Sequence, residues 1–140
     1  MPGINFGRLL LGGLAAGVIL NVGEFLLNEV LFKTQLEETV LRLHIERPGI
    51  VFNSLASGLT LLLGIVIVFL YALIRTRLGP GPKTALLAGA VAWFCTYFYS
   101  GILTSVLLGL RKDLLLIGLV WGAFEYSIAA VGGAALYREK

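Results

Sequence analysis

A single cysteine, a single histidine and a shortage of charge set the first limits on this chain. With Cys95 alone there is no intrachain disulfide and no cysteine-based zinc cluster, and with His44 alone there is no bis-histidine haem ligation within one chain. Charged residues make up 14% of the sequence, against roughly a quarter in an ordinary soluble domain. Together with 58% hydrophobic residues and a mean hydropathy of +0.92, that deficit points to lipid as the solvent. Signatures of chemistry are also missing: there is no Ser/His/Asp set, zinc motif, dinucleotide fingerprint or nucleic-acid module. Gly79-Pro80-Gly81-Pro82-Lys83-Thr84 has some of the composition of a phosphate loop, but lacks its Gly-x-x-x-x-Gly-Lys spacing and a preceding strand. It reads as a turn.

What is present is apolar sequence in four long runs. The expected fold is all-α, a four-transmembrane-helix antiparallel bundle forming one integral membrane domain over 1–140, with helices at about 9–32, 50–74, 84–110 and 114–137. Four spans of about 20 residues nearly exhaust 140 residues, so no separate soluble catalytic domain is expected within them. The runs are continuously apolar rather than alternating, which excludes a β-barrel reading. Arg8 and Ala15-Ala16-Gly17 imitate a signal peptide with its cleavage site, but the apolar stretch continues well past Gly17, so the expectation is a retained first helix. Between the first two spans, Thr34-Gln35-Leu36-Glu37 has the form of a capping box, and a short surface helix is expected to run from there to about Glu46, ended by Pro48-Gly49.

The pI near 9.2 does not imply nucleic-acid binding, because the cations stand in short clusters beside apolar runs. The expected partner is the lipid bilayer, with no nucleic acid. Arg75, Arg77 and Lys83 form a compact cluster free of acids, whereas the first connector dilutes its cations with Glu37, Glu38 and Glu46. Both termini are therefore expected in the cytoplasm.

Each run carries one small or polar stripe at helical spacing. These are Gly13, Gly17, Asn21, Glu24 and Asn28; Asn53, Ser57, Thr60 and Gly64; Trp93, Tyr97, Ser100 and Thr104; and Gly118, Gly122, Glu125 and Ala129. Small residues allow close helix approach and polar ones should face inward. At about 1.5 Å per residue, Asn21, Glu24, Asn28, Asn53, Ser57, Tyr97 and Ser100 fall in the outer half, with Glu125 nearer the midplane. These eight residues are the expected lining of a polar pocket that is open or lidded outside and closed toward the cytoplasm. An acid at the centre of a span costs about 2.5–3.5 kcal/mol, and no lysine or arginine lies at the depth of Glu24 or Glu125. Their expected partners are Asn21, Asn53, Ser57, Tyr97, Tyr126 and Ser127. Glu29 is expected to be solvated at the interface, and His44 to lie in the outer connector.

The motifs Gly12-Gly13-Leu14-Ala15-Ala16-Gly17, Asn21 to Glu29, Gly79 to Ala85, and Leu136-Tyr137-Arg138-Glu139 together resemble a family of small bacterial four-helix membrane proteins of unknown function. The resemblance implies a bacterial inner-membrane setting and a four-helix fold, contributes no catalytic residue, and leaves any cofactor unknown. Three functions compete. The leading one is a non-enzymatic accessory subunit or small-molecule or lipid binder, working as an oligomer or beside a larger partner. The second is a proton- or cation-coupled transporter or channel protomer that uses Glu24, Glu125 or both. A lipid- or quinone-modifying enzyme ranks last, because it needs an acid–base pair for which His44 is the one histidine.

Overall fold

A computed structural model describes residues 3–138; Met1, Pro2, Lys140 and Glu139, the last of which enters the resemblance, lie outside the described residues. The described chain is helical, and four of its helices are long and apolar enough to cross a membrane by length and composition. These are α1 (Phe6–Leu31), α3 (Ile50–Leu78), α4 (Pro82–Leu108) and α5 (Lys112–Leu136). The short α2 (Lys33–Arg42) stands between the first two.

Local chemistry accounts for the helix ends. Asn5 caps α1 by accepting a 3.2 Å hydrogen bond from the Arg8 backbone N–H. The third helix continues past Ile74 because Arg75, Thr76 and Arg77 are compatible with helix, and it stops where Gly79 takes a φ of 82°. Pro82 opens α4, where its missing N–H costs nothing, and Gly109 (φ 59°) closes it. The expected capping box at Thr34 does not form. The helix starts one residue earlier, at Lys33, so Thr34 is already inside the first turn and no side chain caps Phe32. It also ends at Arg42 rather than near Glu46, just before His44 takes a φ of 52°.

Two of the long helices are not α-helical throughout. In α1 the segment Leu26–Leu31 is π-helical, with the Phe32 N–H donating to Leu27 O at 2.8 Å. In α4 the segment Phe94–Phe98 is π-helical, with the Tyr99 N–H donating to Phe94 O. Each inserts a residue into a turn, which rotates everything after it by about 100° relative to a straight helix.

Helix α1 packs against both α3 and α5, and α4 packs against α5 and α3. The small-residue stripes meet one another. A Cβ on Gly17 would stand 2.6 Å from Leu61 Cα, one on Gly13 would overlap Ile65, and Gly64 lies against the backbone of Gly13 and Gly17. Gly12 faces Gly133, and Gly89 faces Tyr126 and Ala130. Ala16, Ala85, Ala88, Ala129 and Ala130, with Ile67 and Val68, are fully buried between these contacts. The part of the bundle near Gly79 is therefore solid. There the Arg75 guanidinium lies over the rings of Tyr71 (5.6 Å) and Tyr137 (5.3 Å), a cation–π pair that ties the ends of α3 and α5 together.

The other end is splayed. Residues 50–55 of α3 are all exposed, because the helix leaves its neighbours once the glycine contacts end. Helix α2 crosses this end toward the α4–α5 turn, where the Arg42 guanidinium donates to Leu108 O (3.0 Å) and Gly109 O (3.2 Å). These are carbonyls that the end of α4 leaves without helical partners.

Candidate functional site

The gap between α1 and the departing start of α3 is a cavity of about 840 Å³. Its floor is formed by Leu20, Leu63, Glu125 and Tyr126. Asn21, Glu24, Phe25, Asn28 and Glu29 make the α1 wall, and Phe52, Asn53, Ala56, Ser57 and Thr60 make the α3 wall. Leu36 of α2, with Arg47 and Pro48 of the connector, partly covers the end. Of the eight residues expected at a polar pocket, six line this cavity: Asn21, Glu24, Asn28, Asn53, Ser57 and Glu125.

Tyr97 and Ser100 do not line it. The Tyr97 ring lies against Gly122 of α5 and edge-to-face with Tyr126 at 5.9 Å, so Tyr126 and not Tyr97 meets the cavity. Ser100 follows the π-helical segment of α4, is exposed, and donates its hydroxyl proton to Thr96 O. A stripe drawn at 3.6 residues per turn cannot anticipate that rotation.

The two acids differ in their surroundings. Glu24 Oε2 accepts from the Asn28 amide at 3.2 Å, and the same nitrogen donates to Glu24 O at 2.9 Å. The expected partners of Glu24 on other helices are not its hydrogen-bond partners here; Ser127, for example, donates back to Ala123 O at 2.7 Å. Glu125 is 5% exposed, and neither carboxylate oxygen accepts a hydrogen bond of normal geometry, although the Trp121 side chain lies beside it. The Trp121 indole N–H is directed instead to Gly23 O, at 3.2 Å. Because Gly23 has no side chain, the Glu125 carboxyl can lie directly against α1, next to Glu24.

Asn21 fixes the register of the two walls. Its amide nitrogen donates within α1 to Gly17 O (3.1 Å) and across to Ser57 O (3.2 Å), so the levels of Asn21 and Ser57 coincide as their sequence positions suggest. Thr60 donates to Ala56 O at 2.9 Å.

Sequence reasoning missed four lining groups: Arg47, Thr60, Glu29 and the Phe25–Phe52 pair at the rim. Thr60 stood on the α3 stripe and could have been included on that ground. Arg47 comes from the connector, so counting cations within the spans does not find it; its guanidinium also lies 3.4 Å from Glu37. Glu29 is exposed, as expected, and still borders the cavity. His44 is exposed and is not part of the lining. Among the described residues, no group of three or more His, Cys, Asp or Glu side chains could hold a metal ion.

Comparison of the chain with protein-family models, with curated proteins and with solved structures finds no match.

Proposed function

We propose that this chain is an integral membrane protein that binds a small molecule or lipid in the cavity between α1 and α3, without transforming it. The observation that carries the reading is the cavity itself: about 840 Å³, lined by three carboxylates (Glu24, Glu29 and Glu125) and three amides, with Phe25 and Phe52 at its rim. That size and mixture suit a ligand site, where a few placed polar groups sit among apolar ones. The alanine- and glycine-packed half below it supports a pocket with one entrance over a continuous pore.

Several features support a membrane setting with the four long helices as successive antiparallel neighbours. The connectors at 79–81 and 109–111 are short. Gly17 faces Leu61 while Gly13 faces Ile65, and Gly23 faces Glu125 while Gly12 faces Gly133. Large apolar side chains such as Leu14, Val18, Leu62, Phe69, Val91, Phe124 and Ile128 point outward all round, as expected of a surface solvated by lipid. The Arg75/Arg77/Lys83 cluster favours the Gly79 turn and both termini in the cytoplasm, which puts the cavity on the outer side. The resemblance supports a bacterial inner membrane as part of this proposal, and the small-residue faces support association with further copies or a larger complex.

The test is native mass spectrometry of protein released from mild detergent, comparing wild type with Ala56→Phe, which fills the cavity without altering a charge. A ligand- or lipid-sized adduct on wild type that the variant lacks is the expected result. Equal adducts on both, or on neither, would refute the pocket as a binding site. The reading in which Glu24 or Glu125 carries protons or cations across the membrane predicts flux in proteoliposomes that Glu24→Gln or Glu125→Gln abolishes; it draws its support from the two acids facing one cavity.

A further inference from the structure

The hydrogen-bonding inventory of the cavity says what kind of group it would hold. At the deep end, the donors are already in use. Both protons of the Asn21 amide have backbone acceptors, Gly17 O and Ser57 O, and the Asn28 amide donates twice to Glu24. The Thr60 hydroxyl donates to Ala56 O. Thr96 donates its one proton to Ala92 O at 2.7 Å, so in its 2.9 Å bond with Tyr126 the tyrosine is the donor, and that proton is committed too. The Trp121 N–H is directed to Gly23 O. At that depth what remains is acceptor capacity; the lining's other donors, the Asn53 amide and Ser57 hydroxyl of the α3 wall and the Arg47 guanidinium of the connector, belong to exposed residues. Both oxygens of Glu125, a side chain 95% buried by its 5% exposure, accept nothing of normal geometry, and Glu24 contributes a second carboxylate to the same space. With the acids as carboxylates, an occupant that offers only acceptors would leave them unsatisfied, at a high cost in low dielectric.

The route in is equally informative. The start of α3, with Phe52 exposed, stands away from Phe25 of α1, so the rim of the cavity on that side is apolar and faces outward. In a bilayer that side meets acyl chains.

We infer that the cavity holds an amphiphile with a protonated primary amine as its head, the ammonium lying against Glu24 and Glu125 and the apolar tail leaving between α1 and α3. This rests on the cavity being a binding site and specifies its ligand class. A primary ammonium supplies three donors and a positive charge, the complement of the unused acceptors. An alkyl tail extends the apolar rim into the lipid.

The test uses the full chain in phosphatidylcholine nanodiscs, with dodecylamine as the probe and empty discs correcting for partition into lipid. Titration calorimetry is expected to show saturable binding, weakened about tenfold or more for dodecyltrimethylammonium, which has no N–H, and for dodecanol, which has no charge. Glu125→Gln and Glu24→Gln should each weaken dodecylamine binding by a similar factor, and Ala56→Phe should remove it. Size-exclusion profile and helix content serve as folding controls, and if one acid variant fails them the other decides. Dodecanol or decanoate binding as tightly as dodecylamine, and lost in Ala56→Phe, would overturn the ammonium assignment while leaving the pocket a binding site. Absence of saturable binding by all four probes would overturn both.

Discussion

The carboxyl group of Glu125 occupies the space that a side chain on Gly23 would take: a Cβ there would stand 2.6 Å from Glu125 Cδ and 2.7 Å from its Cγ. The obstructing atoms are near the end of a flexible side chain, so they can move, and alanine is the better helix former by about 1 kcal/mol. Gly23→Ala should therefore fold, with a thermal midpoint equal to wild type or above it. It should nevertheless weaken dodecylamine binding about tenfold, because the carboxyl is displaced from the cavity. A lowered midpoint with unchanged binding would mean that the glycine serves packing alone.

The glycine stripes divide by what they touch. Gly64 lies against the backbone of Gly13 and Gly17, which cannot rotate away, so Gly64→Val should destabilise the protein by about 3 kcal/mol or more, read as a shift in detergent-induced unfolding. Gly118 has nothing within 4 Å of a Cβ in its own chain, so Gly118→Leu should leave that transition unchanged. A second copy packed on the Gly118 face would be expelled by the leucine, with a fall in particle mass in mild detergent. An unchanged mass removes this face from any assembly.

Arg42 joins α2 to the end of α4 through Leu108 O and Gly109 O. The site is exposed, so Arg42→Ala should cost only about 1 kcal/mol in global stability. Its local effect should be larger: amide exchange across Lys33–Arg42 is expected to accelerate severalfold while α3 to α5 stay protected. Uniform acceleration throughout the chain would show that the contact supports the whole fold.

Orientation is checked by cysteine accessibility in intact cells, after replacing the exposed Cys95 with alanine. Single cysteines at 79–81 should resist an impermeant thiol reagent, and those at 34–46 and 111–113 should react. Labelling of the Gly79 turn from outside would invert the bundle and put the cavity on the cytoplasmic side.

The four long helices could be read from the chain because length and apolarity largely mark a helix able to cross a membrane. The spacing of Gly13, Gly17, Asn21 and Glu24 was enough to mark a small and polar face and to set Asn21 at the level of Ser57, but not to show that Gly64 meets Gly13 and Gly17. Periodicity failed where the helix changed its period. The π-helical turns at Leu26–Leu31 and Phe94–Phe98 have no sequence signal of the Gly or Pro kind, and the second one separates Ser100 from the stripe that contains Trp93 and Tyr97. Arg47 was illegible for a different reason. Its place at the cavity depends on how a connector folds back over the bundle, and no regular repeat encodes that path.

A lipidic-mesophase crystal structure of protein purified without delipidation, and supplied with dodecylamine, tests the central claim most directly. The account predicts ligand density in the cavity between α1 and α3, with its head within hydrogen-bonding distance of Glu24 and Glu125 and its tail passing Phe25 and Phe52. A cavity closed by the start of α3 collapsing onto α1, with both carboxylates bonded to protein groups and no ligand present, would contradict it.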